Sequence, residues 1–160
     1  AHGLDLGCGS GLAGPLFRDR VGTFHGVELS AKMAALAEAK GTYDLVTVGD
    51  MVRFLEDAGL AYDLILAADV FVYVGDLAPV FSAIRRRMAE GGVFAFSVEG
   101  LEQGTYALRP TGRYAQNAAY IRAVAADTGF RVSRCDPVAV RTENDQPIDG
   151  YLFILEAITV

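Results

Sequence analysis

No stretch of this chain reaches the roughly 18 consecutive apolar residues that a membrane helix needs. Its strongest apolar runs, such as Val70 to Val74, are strand-sized. The opening Ala1-His2-Gly3-Leu4-Asp5 offers neither a basic start nor a cleavage-like site, so no signal peptide is expected. Cysteine is scarce. Cys8 and Cys135 lie far apart and outside any CxxC or Cys/His ligand spacing, which speaks against a metal framework and for a reduced, cytoplasmic setting. Lysine occurs only at positions 32 and 40, and 14 basic residues face 20 acidic ones for a net charge of −6. A phosphate backbone repels such a chain unless a local basic patch intervenes. The only dense basic run, Arg85-Arg86-Arg87, reads as a helix end favoured by the helix dipole. Internal repeats and low-complexity tracts are absent as well.

What remains is a chain of 160 residues, 52% hydrophobic and 21% charged, the composition and size of one globular domain spanning 1–160. Because a strand-like segment follows Ala1 almost at once, an N-terminal segment is expected to precede it. Short apolar runs alternate with longer periodic stretches, the pattern of an α/β domain. Strands are expected at Leu4–Leu6, Phe24–Val27, Leu45–Val48, Leu64–Ala67 and Val93–Val98, with a final pair at Arg131–Val140 and Tyr151–Ile158. Helices are expected at 12–19, at 31–40 behind a Ser30 N-cap, around 52–57, from an Asp76 cap through Arg87, and at 115–128. Gly91-Gly92 is expected to end the fourth of these helices, and Glu99–Arg113 to form a loop. The first five strands should be parallel. The last two, joined by about nine polar residues without a helix, should be antiparallel.

The segment Leu4-Asp5-Leu6-Gly7-Cys8-Gly9-Ser10-Gly11-Leu12 is the most informative. Its glycines let the backbone turn sharply and approach a ligand at a strand's C-terminal edge. Glu28 ends the second strand, where a carboxylate can accept hydrogen bonds from both hydroxyls of a ribose. Asp50 ends the third, where an acid and the following Met51 amide can read the edge of adenine. Asp5 immediately precedes the turn, would repel a pyrophosphate, and suits a ligand with an ammonium group. An ammonium, a ribose and an adenine without phosphate describe S-adenosylmethionine.

On these residues the sequence resembles class I S-adenosylmethionine-dependent methyltransferases over essentially its whole length. Further matches lie at Tyr62–Val70 and Gly91–Phe96. Tyr73-Val74-Gly75-Asp76-Leu77 and Gly112-Arg113-Tyr114-Ala115 are similar, more narrowly, to bacterial methyltransferase domains that follow tetratricopeptide repeats, and an upstream repeat domain is a possible partner. The resemblance implies a Rossmann-like, mostly parallel seven-stranded sheet, ordered 3-2-1-4-5-7-6 with strand 7 antiparallel and helices on both faces. The implied cofactor is S-adenosylmethionine, with S-adenosylhomocysteine as product. Its site is expected to include Asp5, Gly7, Cys8, Gly9, Gly11, Leu12, Glu28, Leu29, Met33, Asp50, Met51, Ala68 and Asp69.

The acceptor pocket has four candidate residues, Tyr73, Glu99, Arg113 and Tyr114, and the sequence offers no clear general base. His25 reads as a half-buried strand residue. In the narrower subfamily, position 116 is commonly histidine; here it is Gln116. The run after strand four lacks the Asn/Asp-Pro-Pro-Tyr-like motif of enzymes that methylate amino groups of nucleic acids. With the charge, this favours a small-molecule acceptor. Two rival readings stay open. One is a cofactor-binding domain without catalysis. The other is an NAD-dependent oxidoreductase, because Gly9-x-Gly11-x-x-Gly14 with Glu28 also spells a dinucleotide fingerprint.

Overall fold

A computed structural model describes residues 1–159. The chain begins with β1 (His2–Leu6), a single turn α1 (Gly14–Phe17) and a 3-10 turn at Arg18–Arg20. It continues through β2 (Thr23–Glu28), α2 (Ala31–Ala39), β3 (Leu45–Val48), α3 (Met51–Asp57) and β4 (Tyr62–Ala67). Local chemistry sets the helix starts: the Met33 amide donates to Ser30 Oγ, and the Arg53 amide donates to Asp50 Oδ2. After β4 come a 3-10 turn at Phe71–Tyr73, then α4 (Ala78–Arg86), which leads into β5 (Met88–Gly100). The pairs β1–β2, β2–β3, β1–β4 and β4–β5 are all parallel. The chain closes with α5 (Ala118–Asp127) and a long hairpin of β8 (Phe130–Glu143) and β9 (Gln146–Ala157). β9 is antiparallel to both β5 and β8.

The main sheet therefore runs β3-β2-β1-β4-β5-β9-β8. With the last two strands counted as sixth and seventh, this is the expected order with its antiparallel seventh strand. The sheet also carries two strands that the sequence reading left in a loop, β6 (Tyr106–Leu108) and β7 (Tyr114–Gln116). Glu99 pairs with Gly150 of β9 on one edge and with Ala115 of β7 on the other. β7 thus continues the sheet along the edge that β4 vacates after Ala67. Three-residue strands carry too little periodicity to be read in isolation, and β7 displaces the expected helix start from 115 to Ala118, where the Asn117 side chain accepts from the Ala119 amide.

Other boundaries also move. The expected nine-residue connection is a two-residue turn, Asn144-Asp145, with φ of 49° and 62°, a geometry that suits a tight hairpin. Leu77 occupies the cap position of α4, although Asp76 Oδ1 still accepts from the Ala78 amide at 3.1 Å. α4 ends at Arg86, and Gly91-Gly92 falls inside β5, where the register with β4 shifts. Two of the three clustered arginines bind carbonyls near the ends of neighbouring elements. Arg85 donates to the carbonyls of Gly129 and Ile158, and Arg87 donates to those of Leu55 and Glu56.

Side-chain alternation along the strands divides the interior into two layers. Leu4 and Leu6 of β1 join Ile65, Phe94, Phe96 and Phe153, covered by Phe81 and Ile84 of α4 and Ile121 of α5. Each such side chain contributes about 1.5–3 kcal/mol relative to exposure. The smaller layer contains Phe24, Leu66, Ala37, Tyr43 and Cys8, beneath α1 and α2. Asp5, between Leu4 and Leu6, points into this smaller layer, and that placement decides its chemistry. At the far end, a Cβ on Gly150 would overlap the Val98 carbonyl, so only glycine lets β9 cross β5 there.

Candidate functional site

The glycine turn leaves β1 at the edge where the parallel strands end, and two of its glycines have separate physical reasons. Gly7 has φ of 63°, and a Cβ there would come within 2.6 Å of Val70 Cγ2, so the turns after β1 and β4 could not pack together. Gly9 has φ of 56°, and its Cβ would meet nothing nearer than Met33 Cε at 3.9 Å. That side of Gly9 opens onto a cleft of about 920 Å³ above the C-terminal ends of β1 to β4.

Twelve of the thirteen expected cofactor residues line this cleft: Asp5, Gly7, Cys8, Gly9, Leu12, Glu28, Leu29, Met33, Asp50, Met51, Ala68 and Asp69. Glu28 is held by two amides, with Gly9 N donating to Oε1 at 3.1 Å and Ser30 N to Oε2 at 2.7 Å. Each of these oxygens keeps acceptor capacity for a further donor. Asp50 uses Oδ2 to cap α3, where the first-turn amides, Met51 among them, lack helical carbonyl partners. Leu12 and Leu29 are exposed by 79% and 73%, leaving apolar side chains on the rim. Asp69 follows β4 with φ of 56°; its amide donates to Ser97 Oγ at 2.9 Å and its carboxylate accepts from Arg141 at 2.6 Å. Tyr73, 71% exposed, also lines the cleft.

The remaining expected residues lie elsewhere. Gly11 packs its backbone against Tyr43 and Ala37 beneath the turn. Glu99 is buried and pairs with Arg141. Arg113 is bound to Glu143. Tyr114 sits beside Tyr106, with both rings close to Gly75. Glu99, Arg113 and Tyr114 are thus not among the residues lining the cleft, because the β6–β7 hairpin and the end of the β8–β9 hairpin take up their side chains. Gln116, fully buried, donates to the carbonyls of Phe71 and Val74 and so ties β7 to the turn bearing Tyr73. His25 Nδ1 lies 2.9 Å from the Tyr62 hydroxyl, away from the cleft.

Two residues important to the site escaped the sequence reading. Tyr43 donates from its phenol to Asp5 Oδ2 at 2.6 Å across 38 residues of sequence. Arg141 bridges Asp69 and Glu99. Neither carries a local motif that announces its role. Burial in the apolar layer pushes the Asp5 carboxyl up to about 6, partly opposed by the Tyr43 hydrogen bond. Burial, with the Asp5 and Glu28 carboxylates nearby, pushes the Cys8 thiol up to about 12, which leaves it inert as a nucleophile.

Among the described residues, the cleft wall carries four carboxylates (Asp5, Glu28, Asp50 and Asp69) and no lysine, arginine or histidine. A pyrophosphate would meet only like charge there. A cationic nucleoside with a free ammonium meets opposite charge, two carboxylates with spare acceptor capacity, and apolar side chains for a flat base. The residues present therefore fit S-adenosylmethionine.

The family model described as a methyltransferase domain matches residues 4–96, more than half of the chain. The chain belongs to that family. Similar solved structures include an S-adenosylmethionine-dependent methyltransferase from Methanosarcina mazei, 14% identical, with 99% of this chain and 93% of that one covered and a TM-score of 0.78. Magnesium protoporphyrin IX methyltransferase from Synechocystis PCC 6803 with bound S-adenosylmethionine is 21% identical over 97% of this chain and 69% of that one, TM-score 0.71. A Haloferax volcanii complex of the Trm112 methyltransferase activator with a methyltransferase gives 22% identity over 99% and 83%, TM-score 0.75. At these identities the likeness establishes the Rossmann-like methyltransferase fold. No curated protein matches the chain.

Proposed function

We propose that this domain binds S-adenosylmethionine in the cleft and directs methyl transfer to a small acceptor that is uncharged or cationic. The observation that carries the reading is the wall itself: four carboxylates and no basic side chain around an open glycine turn. Glu28 would take the ribose hydroxyls, Asp50 and the Met51 amide the adenine edge, and Asp5 the ammonium. Leu29 and Met33 would cover the base.

When bound, the cofactor supplies a methyl group activated by a sulfonium. The chain's own residues have to align the acceptor and exclude water, a contribution worth roughly 7–11 kcal/mol for a well-oriented pair. Tyr73, Val74 and Leu12 give the remaining wall an apolar and aromatic surface. No histidine lines the cleft among the described residues, the Cys8 thiol is inert, and Asp69 is engaged by Arg141. An acceptor that needs no strong base, such as a neutral amine, suits this wall. A phosphate-rich polymer does not, and nucleic acid is disfavoured as acceptor.

No helix among the described residues is long and apolar enough to cross a membrane. The two free thiols support a cytoplasmic setting. The similarity of the 73–77 and 112–115 segments to bacterial domains that follow tetratricopeptide repeats supports such a repeat domain as a partner in a longer protein.

Calorimetric titration with S-adenosylmethionine, S-adenosylhomocysteine and NAD tests the reading. Saturable binding of the first two and none of NAD is expected. Binding of NAD alone would overturn it. Methyl transfer is then sought from labelled S-adenosylmethionine across neutral, cationic and anionic small acceptors, with turnover expected in the first two groups.

A further inference from the structure

The least expected contact in the cleft is the one beneath its floor. Tyr43 lies in the connection between α2 and β3, is almost fully buried, and directs its hydroxyl at Asp5 Oδ2 across 2.6 Å. Three glycines from separate elements make room for the ring. A Cβ on Gly11, Gly14 or Gly26 would come within 3.2, 3.0 and 3.4 Å of Tyr43 atoms respectively. Phe24 packs against the ring with centroids 5.0 Å apart. A phenylalanine would fill the same space. The hydroxyl has one side-chain partner among the described residues, the Asp5 carboxylate, and that partner lines the cleft.

Asp5 is otherwise surrounded by apolar side chains. Its strand partners are Gly26 on β2 and Leu66 on β4, and besides Tyr43 the ionisable group near it is Cys8 in the turn, which itself lies near Glu28. His25 pairs with Leu4 and so belongs to the opposite face of the sheet. With Oδ2 engaged by the phenol, Oδ1 is left without a protein hydrogen-bond donor among the described residues.

We propose that Tyr43 is the positioning residue of the ammonium site: its phenol fixes the Asp5 carboxylate with one oxygen turned to the cleft, and so sets how strongly an amino-acid-bearing cofactor is preferred over a bare nucleoside. The inference rests on the S-adenosylmethionine reading above. Chemically, the phenol donates one hydrogen bond to the ionised carboxylate, and the ligand ammonium donates to the remaining oxygen. No proton leaves Tyr43, whose hydroxyl is held protonated by burial and by the adjacent Asp5 charge.

The test compares two probes on the unsubstituted protein and on Tyr43→Phe: S-adenosylhomocysteine, which carries the ammonium, and 5′-methylthioadenosine, which lacks it. Affinities are measured by calorimetry between pH 5 and 8. For the unsubstituted protein, S-adenosylhomocysteine should bind more tightly as pH rises through about 6, where Asp5 ionises, while 5′-methylthioadenosine binding stays flat. Tyr43→Phe removes a hydrogen bond to the charged form, so the rise should move up by about one pH unit. The resulting loss for S-adenosylhomocysteine, about fivefold at pH 6 and roughly tenfold at pH 5, should nearly vanish by pH 8, with 5′-methylthioadenosine unaffected.

If Tyr43→Phe does not fold, uniform replacement of tyrosine by 3-fluorotyrosine makes every phenol a stronger donor and should move the same profile downward. An unmoved profile, or equal weakening of both probes, overturns the inference and leaves the cofactor site standing. Failure of both probes to bind the unsubstituted protein overturns the cofactor reading itself.

Discussion

Arg141 reaches the carboxylate of Asp69 at 2.6 Å across 72 residues of sequence. The same guanidinium holds Glu99, so one side chain from the terminal hairpin joins the ends of β4 and β5 beside the cleft. The register of β8 shifts between Ala139 and Arg141, and such an irregularity re-aims a side chain. The hairpin is thus tied to a residue of the cleft wall as well as forming the closing edge of the sheet.

Arg141 and its exposed partner Asp69 should respond differently to substitution. The Glu99 side chain is 3% exposed, whereas that of Asp69 is 57% exposed. Arg141→Met leaves a buried carboxylate with only Arg109 nearby, and should destabilise the fold by about 3 kcal/mol. Asp69→Asn should cost less than about 1 kcal/mol. Urea denaturation of both variants checks the contrast, and equal losses would refute it.

Glu28→Gln should weaken S-adenosylhomocysteine binding at least about tenfold, because ribose hydroxyls lose a charged acceptor. The glutamine keeps its oxygen for one of the Gly9 and Ser30 amides and turns its NH2 against the other, so a modest stability loss of about 1 kcal/mol should accompany the weaker binding. Calorimetry and thermal unfolding of the same preparation separate the two effects.

Asp5 makes the ligand-free protein sensitive to pH. Its carboxyl moves from 3.8 to about 6 on folding, so the folded state retains the proton longer than the unfolded state. The Asp5 contribution to stability is therefore greatest below 3.8 and falls as pH rises to about 6, by about 3 kcal/mol in all. Asp5→Asn removes this loss and should be the more stable protein at pH 8, while binding S-adenosylhomocysteine more weakly. Denaturation of both forms at pH 4 and pH 8 checks the sign; an advantage of the variant that does not grow with pH contradicts it.

Gly7→Ala and Gly9→Ala place a methyl group in the same turn with different consequences. Both carry left-handed strain of about 1–2 kcal/mol. Gly7→Ala adds a clash with Val70 and should lose stability further, by roughly 1–3 kcal/mol. Gly9→Ala has open space, should fold, and should fail to bind S-adenosylhomocysteine because its Cβ occupies the cleft. Thermal unfolding and calorimetry on the pair distinguish these outcomes.

The sequence alone determined what depends on neighbours within a turn or two. The glycine turn, the Ser30 cap and the carboxylates closing β2 and β3 are set by local backbone chemistry. Strand and helix alternation then set the α/β class, and the family resemblance implied the order of the main sheet. Tertiary structure decided the rest, because the deciding contacts join distant residues. Nothing near Tyr43 says that it lies under Asp5, and nothing near Arg141 says that it turns toward Asp69. Glu99, Arg113 and Tyr114 stood near the right strand ends, yet their side chains found partners on hairpins too short or too far along the chain to be read. A carboxylate can be recognised from its place in a motif. Which groups surround it, and hence its charge and direction, is settled only when strands separated in sequence are brought side by side.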